Sequence, residues 1–225
     1  MATRSDGIET REKLLEAALD AFVNKGFHGA HVAEICRRAG ANVAAVNYHF
    51  GGKLSLYAEV WKRAFQEADR RLPLDGGLPE SAPPEHRLRA LIHAVLSRIL
   101  RHGARSRSGR LMLQEMAQPL PELHHVRMEA TEPVRRRLRG IVSELLGPGV
   151  DEDTICRCCL SILHQVLAIG FRGGRKSSIL GEGEFTDPEV DALIDHTVRF
   201  SLGGLQAIAN ETHPSVSAVV KGDKS

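Results

Sequence analysis

A chain of 225 residues, 42% hydrophobic and 26% charged, has apolar material for one or two buried cores. Its net charge of +2 and pI of about 8.4 are too balanced for polyanion binding by bulk attraction, so any hold on nucleic acid must come from local placement of charge. Four cysteines make no disulfide framework at this length, the opening MATRSDGIETREK lacks the apolar centre of a secretion signal, and no segment is apolar for long enough to span a bilayer. A soluble cytoplasmic protein with no membrane partner is expected.

Helical periodicity runs through almost the whole chain and strand alternation is missing, so the fold expected is all-α. A first helix sets Leu15, Ala18, Leu19 and Phe22 on one stripe and stops at Lys25-Gly26. A second places Val32, Ile35, Cys36 and Ala39 at i, i+3, i+4, i+7. Gly40 can take the left-handed conformation that ends it, and Asn42 is a good N-cap for a third helix. In that third helix Val43, Val46 and Phe50 are expected to face inward. Ala44, Ala45, Tyr48 and His49 then face outward, with Asn47 at the boundary. Two short amphipathic helices joined by a tight glycine turn are the layout of a DNA-reading helix-turn-helix.

The outward face suits a major groove. Two alanines let the helix backbone approach base edges and touch thymine methyls, while Asn47, Tyr48 and His49 offer donors to bases or phosphates. No aspartate or glutamate occurs between Glu34 and Glu59, as a phosphate-facing surface requires, and Arg37, Arg38 and Lys53 supply positive charge. Lys53 follows Gly51-Gly52 at the start of another helix, whose free amides make a phosphate anchor. The expected DNA-binding set is Arg37, Arg38, Asn42, Ala44, Ala45, Asn47, Tyr48, His49 and Lys53, and the expected partner is double-stranded DNA.

A long fourth helix is expected from Lys53 to about Leu72, then a loop from Pro73 through Pro84. Further helices are expected near Glu85 to His102, Ser106 to Ala117, and from Pro119 to Gly147, the last kinked at Pro133. Asp151 to Phe171 and Asp187 to Asn210 complete the set, separated by a flexible segment and followed by a disordered tail after Thr212. The final helix repeats Val190, Ile194, Val198, Leu202, Leu205 and Ile208 every three or four residues, with Gly203-Gly204 among them. Such a stripe serves a partner helix or an intrachain core equally well on periodicity alone. The interface residues expected are Phe171, Ile194, Val198, Leu202 and Leu205.

A regulatory cavity is expected from Trp61 and Phe65 on the fourth helix, Met112, Glu115 and Met116 on the sixth, and Leu163 and Leu167 on the eighth, with His124 and His164 as polar contributors. Cys156, Cys158 and Cys159 crowd one helix, a spacing that suits small buried side chains better than a zinc site. Glu122 and His125 form one Glu-x-x-His, half of a di-iron carboxylate signature, without its second half. No metal or cofactor is expected. The arginine-rich runs 98–110 and 135–139 read as solvated faces, the first also as a neighbour of DNA.

The runs TREKLLEAALDAFVNKGF and AGANVAAVNYHFGGKLSLY together resemble the N-terminal region of TetR-family transcriptional regulators, from about Thr10 to Tyr57. The variant NVAAVNYHFGGK, with QEMAQPLPELHH and HQVLAIGF, resembles more narrowly the CecR-like subgroup. One departure is Ala30-His31, where the family has Ser or Thr opening the second helix. The resemblance implies an N-terminal DNA-binding domain over 1–52, a larger ligand-binding and dimerisation domain over 53–211 and a flexible tail over 212–225. It also implies homodimers that pair their last two long helices into a four-helix bundle, and no enzyme activity. The function expected is a ligand-responsive regulator, a repressor released from a palindromic operator by a small-molecule effector. Two alternatives stand beside it: a helical metal-dependent oxidase built on Glu122 and His125, and a nonspecific architectural DNA binder.

Overall fold

The structure is a computed structural model that describes residues 4–103, 105–168, 176 and 181–212. In chain order the described helices are α1 (Arg4–Gly29), α2 (Val32–Ala39), α3 (Val43–Phe50), α4 (Lys53–Arg71), α5 (Pro84–Ser97), α6 (Arg107–Ala117), α7 (His124–Leu146), α8 (Glu152–Leu167) and α9 (Asp187–Thr212). A π-helical turn, Arg98–Gly103, extends α5, and a short 3-10 turn, Pro121–Leu123, leads into α7. The fold is all-α.

Local chemistry sets most of these boundaries. At Gly26 the backbone takes φ 67°, ψ 178°, breaking α1 where the glycine stop was expected. Gly40 ends α2 in the left-handed region, its N–H donating to Arg37 O and that of Ala41 to Cys36 O at 2.9 Å. The Ala45 N–H donates to the Asn42 side-chain oxygen at 2.9 Å, capping α3. Asp151 and Ser106 cap α8 and α6 in the same way. His31 opens α2 without a side-chain cap, which follows from the missing Ser or Thr.

Two differences from the sequence reading concern α5 and α7. The expected single helix over 85–102 widens into the π turn at Arg98. That residue is only 9% exposed, and its guanidinium donates to Leu72 O at 3.0 Å and to Asp69 at 2.8 Å. The Arg98 side chain thus holds the Leu72 carbonyl at the C-terminal end of α4. Helix α7 begins at His124 after the 3-10 turn, not at Pro119, and contains Pro133 within one element.

Apolar burial divides into two clusters. The first gathers Leu14, Phe22, Ile35, Cys36 and Val46 from α1–α3 with Leu56, Tyr57, Val60 and Trp61 of α4, and is closed from above by Leu111 and Leu123. The second gathers Leu88, Ile92 and Leu96 of α5 with Leu138, Ile141 and Val142 of α7, Ile155, Ile162 and Val166 of α8, and Ile194, Val198 and Leu205 of α9. Helix α6 lies over α1 and α4, where Gln114 donates to Val23 O at 2.9 Å.

Close approach of the π turn to α6 depends on Gly109, where an added Cβ would meet the Gly103 carbonyl oxygen at 2.5 Å and its Cα at 2.6 Å. At Gly140, exposed on α7, the same Cβ would meet nothing within 4 Å. Gly140→Ala is expected to raise stability by up to about 1 kcal/mol. Gly109→Ala is expected to lower it by about 1–3 kcal/mol, because backbone must move. Denaturant unfolding of both variants checks the contrast.

Candidate nucleic-acid interface and regulatory core

Helix α3 buries Val46 almost completely and rests Ala45 and Phe50 against the first cluster. Its outward face carries Tyr48, 85% exposed, with Ala44, Asn47 and Val43. The phase is therefore turned from the expected one at three positions, Val43, Ala45 and His49. Val43, expected inward, is 52% exposed at the first position of the helix. Ala45, expected outward, is half-buried. His49 is half-buried and packs edge-on against Tyr48, with ring centroids 4.9 Å apart.

Charge around this face is arranged as the missing acids suggested. Arg37 is exposed and makes no ion pair among the described residues, while Arg38 and Lys25 both hold Glu34, at 2.9 and 2.5 Å. The Lys25 hydrogen bond is the main reason the Glu34 carboxyl sits below the ordinary carboxylate range. That pairing neutralises the acid nearest the reading helix. Asn42 is exposed at the helix start, its side-chain oxygen spent on the cap.

Lys53 begins α4 after Gly51 and Gly52, whose φ values of 79° and 147° are glycine conformations. Its ammonium stands 4.7 Å over the Phe27 ring and 3.4 Å from the His28 carbonyl, and partial burial lowers its pKa. Phe27 in turn meets Tyr57 at 5.2 Å between ring centroids, and Tyr57 meets Phe22 edge-on at 4.8 Å. Phe27 was not anticipated as a support for Lys53, because the contact joins two helix ends 26 residues apart.

Above this aromatic group lies Glu115, 1% exposed. It accepts from the Tyr57 hydroxyl at 3.1 Å, from the Leu120 N–H at 2.9 Å and from the Arg127 guanidinium, which also donates to Leu120 O at 2.7 Å. Burial first, and then the Glu115 charge, push the Tyr57 pKa upward. Glu115 was expected to orient a ligand, but its acceptors face three protein donors. Arg127 escaped the sequence reading, since nothing in its spacing marks it as the partner of a glutamate on another helix.

The remaining cavity candidates do not converge. Trp61 and Phe65, with ring centroids 5.6 Å apart, belong to the first cluster, whereas Met116, Leu163 and Leu167 pack against the second. Met112 lines a small pocket between α4 and α6, and His124 and His164 are exposed. The nine residues are thus divided between the two apolar clusters, the buried Glu115 network, the small pocket at Met112 and the surface, and are not brought together around one cavity.

The interface expectation also shifts. Ile194, Val198 and Leu205 are 2–4% exposed inside the chain's own second core, and Leu202 is half-buried; Phe171 lies outside the described residues. Beside this stripe a groove of about 560 Å³ runs between α8 and α9, with Phe200, Ser161, Ser201 and Gly204 in its walls. Phe200 is 63% exposed and Leu160 on α8 is 53% exposed. Cys156 is exposed, Cys158 buried and Cys159 half-buried, and all three thiols have raised pKa values, through the Glu152 hydrogen bond for Cys156 and burial for the others. Glu122 and His125 are both exposed, and among the described residues no group of three or more His, Cys, Asp or Glu could hold a metal ion. No described helix is long and apolar enough to cross a membrane.

This arrangement has known counterparts. Residues 14–60 match the bacterial regulatory proteins of the tetR family, and residues 84–205 match the C-terminal domain of the HTH-type transcriptional dual regulator CecR. CecR of Shigella flexneri is 24% identical over 207 residues, 85% of this chain and 89% of that protein. The HTH-type transcriptional repressor NicS of Pseudomonas putida is 32% identical over 111 residues, 45% of this chain, and the match spans only about half, 50%, of its length. Among solved structures, the transcriptional regulator FadR of Bacillus subtilis in complex with stearoyl-CoA superposes with a TM-score of 0.64 at 16% identity, covering 86% of this chain and 98% of that one. These relatives are regulators and not enzymes, which sets aside the oxidase alternative.

Two substitutions test the geometry. Tyr48→Ala is expected to weaken operator binding at least tenfold, about 1.4 kcal/mol, with circular dichroism unchanged, because the ring is exposed and supports no core. Glu115→Ala is expected to cost about 3 kcal/mol or more in denaturant unfolding, because Arg127 loses its buried partner, while Tyr57→Phe costs about 1 kcal/mol.

Proposed function

The chain belongs to the TetR family of bacterial regulatory proteins, with a CecR-type C-terminal domain, and from that premise we propose that it is a homodimeric repressor released from a palindromic operator by a small-molecule effector. It is a DNA-binding transcriptional regulator. The observation that carries the reading is the α3 face: an 85% exposed tyrosine beside Ala44 and Asn47, on a stretch without acidic residues. Arg37 and Lys53 flank it for phosphate contacts. The proposed reading set also keeps Arg38, Asn42, Ala45 and His49, in supporting places set by the half-buried side of α3 and by the Glu34 pair.

Dimerisation is supported by what α9 leaves unexplained. Gly203 and Gly204 are exposed, and a Cβ on either would meet nothing within 4 Å, so nothing among the described residues calls for two residues that each cost a helix about 1 kcal/mol. Close approach of a partner helix does. Phe200 beside them is large and exposed, and the buried Ser201 hydroxyl has no hydrogen-bond partner among the described residues. A two-fold dimer would present two α3 helices to successive major grooves of a palindrome.

Repression and its release rest on family precedent: NicS is a repressor, and FadR was solved with stearoyl-CoA. The lever proposed is α4, which begins at Lys53 and carries Tyr57 to Glu115 of the regulatory part. An effector acts only through different affinities for the two dimer geometries, typically about 1–3 kcal/mol of coupling, and operator DNA must weaken effector binding by the same factor.

Phe200→Glu is expected to give monomers in sedimentation experiments, with unchanged helical content and at least tenfold weaker operator binding, because a carboxylate cannot be buried unpaired at the seam. A dimer that persists would move the interface away from α8 and α9. Selection of bound sequences from random DNA tests the palindrome: two inverted half-sites are expected, and an asymmetric or absent consensus would refute the operator reading.

A further inference from the structure

We propose that a basic cleft between α1, the second half of α4 and the start of α6 binds a phosphate-bearing small molecule. The cleft encloses about 610 Å³, within the range of small-molecule sites. Five arginines, Arg63, Arg70, Arg71, Arg105 and Arg107, line it against two glutamates, Glu16 and Glu67. Both glutamates are already engaged. Glu16 pairs with Arg63 at 3.3 Å and Arg107 at 3.1 Å, and Glu67 accepts from Arg71 and from the Ser108 hydroxyl at 2.6 Å.

The arginines are not used up in return. Arg70 is exposed and makes no ion pair among the described residues, and Arg105, 62% exposed, reaches Asp187 only at 3.7 Å. Two guanidinium forks thus border the cleft with donors to spare, and a phosphate accepts from such forks in the bidentate geometry they favour. The positive end of α6 adds to the same field through Arg107 and Ser108. At Ala64 and Arg71 the cleft adjoins a small void of about 30 Å³ walled by Ala68, Leu72, Arg98, His102 and Met112.

DNA is not the intended occupant. Glu67 lies 14 residues after Lys53 on α4, which is roughly 21 Å along the helix axis from the phosphate-facing end. Within the arginine-rich run 98–110, Arg98 holds Leu72 and Asp69 at the far end of α4, Arg101 pairs with Asp187 and Asp191 of α9, Arg107 pairs with Glu16 and Asp20 of α1, and Arg105 and Arg110 are exposed. Because α1, α4 and α6 all contribute, a bound phosphate would draw the start of α6 and the lever helix together against the DNA-binding part. That regulatory consequence rests on the effector-released reading above; the binding itself does not.

The test is calorimetric titration of purified full-length protein with inorganic phosphate, pyrophosphate and ADP at physiological ionic strength, without DNA, beside the double variant Arg70→Glu, Arg105→Glu and its milder form Arg70→Gln, Arg105→Gln. Saturable binding of pyrophosphate or ADP is expected, weakened at least tenfold in the charge-reversed protein and less in the neutral one, with operator affinity in the absence of ligand unchanged. A preference for ADP marks a nucleotide-type ligand, and one for pyrophosphate a simpler phosphate ester. No saturable binding of any of the three, or equal binding by wild type and variants, overturns the proposal. So does a loss of operator affinity in the ligand-free variants, which would make these arginines DNA contacts. A ligand that binds here yet leaves operator affinity unchanged would contradict effector release through this cleft while leaving the site intact.

Discussion

A single buried carboxylate joins the two halves of this molecule. Glu115 has almost no access to water, and an ionised carboxylate in that position is tolerated only where its acceptors are filled. Tyr57, Leu120 and Arg127 fill them from α4, the turn before α7, and α7 itself. Each partner fixes one element relative to the others with directional bonds, which apolar packing alone does not supply. The position of α4 relative to α6 and α7 is thereby tied to a network that penalises any partial displacement.

The consequence reaches the DNA-facing surface because Tyr57 has two environments. Its hydroxyl belongs to the Glu115 network, and its ring packs against Phe22 and Phe27, the latter lying under the Lys53 ammonium. A shift of α4 therefore cannot be absorbed by soft loops. It moves the floor beneath a phosphate anchor or breaks a buried hydrogen bond. That is the kind of element in which a small change of geometry separates two states, since packed interfaces are bistable before they are deformable.

Charge is distributed by the same economy. A chain of net charge +2 keeps the reading face free of acids by pairing Glu34 with Lys25 and Arg38, and it collects arginines at the opposite end of α4. Among the exposed apolar residues, Tyr48 and Val43 stand together on α3, and Phe200 stands next to Gly203 and Gly204 on α9. Both patches are surfaces that a lone chain has no reason to leave uncovered.

The sequence alone determined the elements whose signals are local: the glycine stops at Gly26 and Gly40, the Asn42 cap, the apolar stripe of α2 and the acid-free stretch around α3. Such features act within one helical turn, so they are legible without knowing the neighbours. Tertiary structure decided the rest. Periodicity marked the stripe Ile194, Val198 and Leu205 but could not say whether its partner was the same chain or another, and α5 and α7 claim it for the internal core. Val43 satisfies an apolar register yet lies exposed at the start of α3. Trp61 and Leu163 have the character of a shared cavity but fall in separate cores, and Glu115 looks like a ligand contact until Arg127 is seen beside it. In each case the deciding contact joins residues far apart in sequence, and residue type at one position carries no information about which distant side chain will satisfy it.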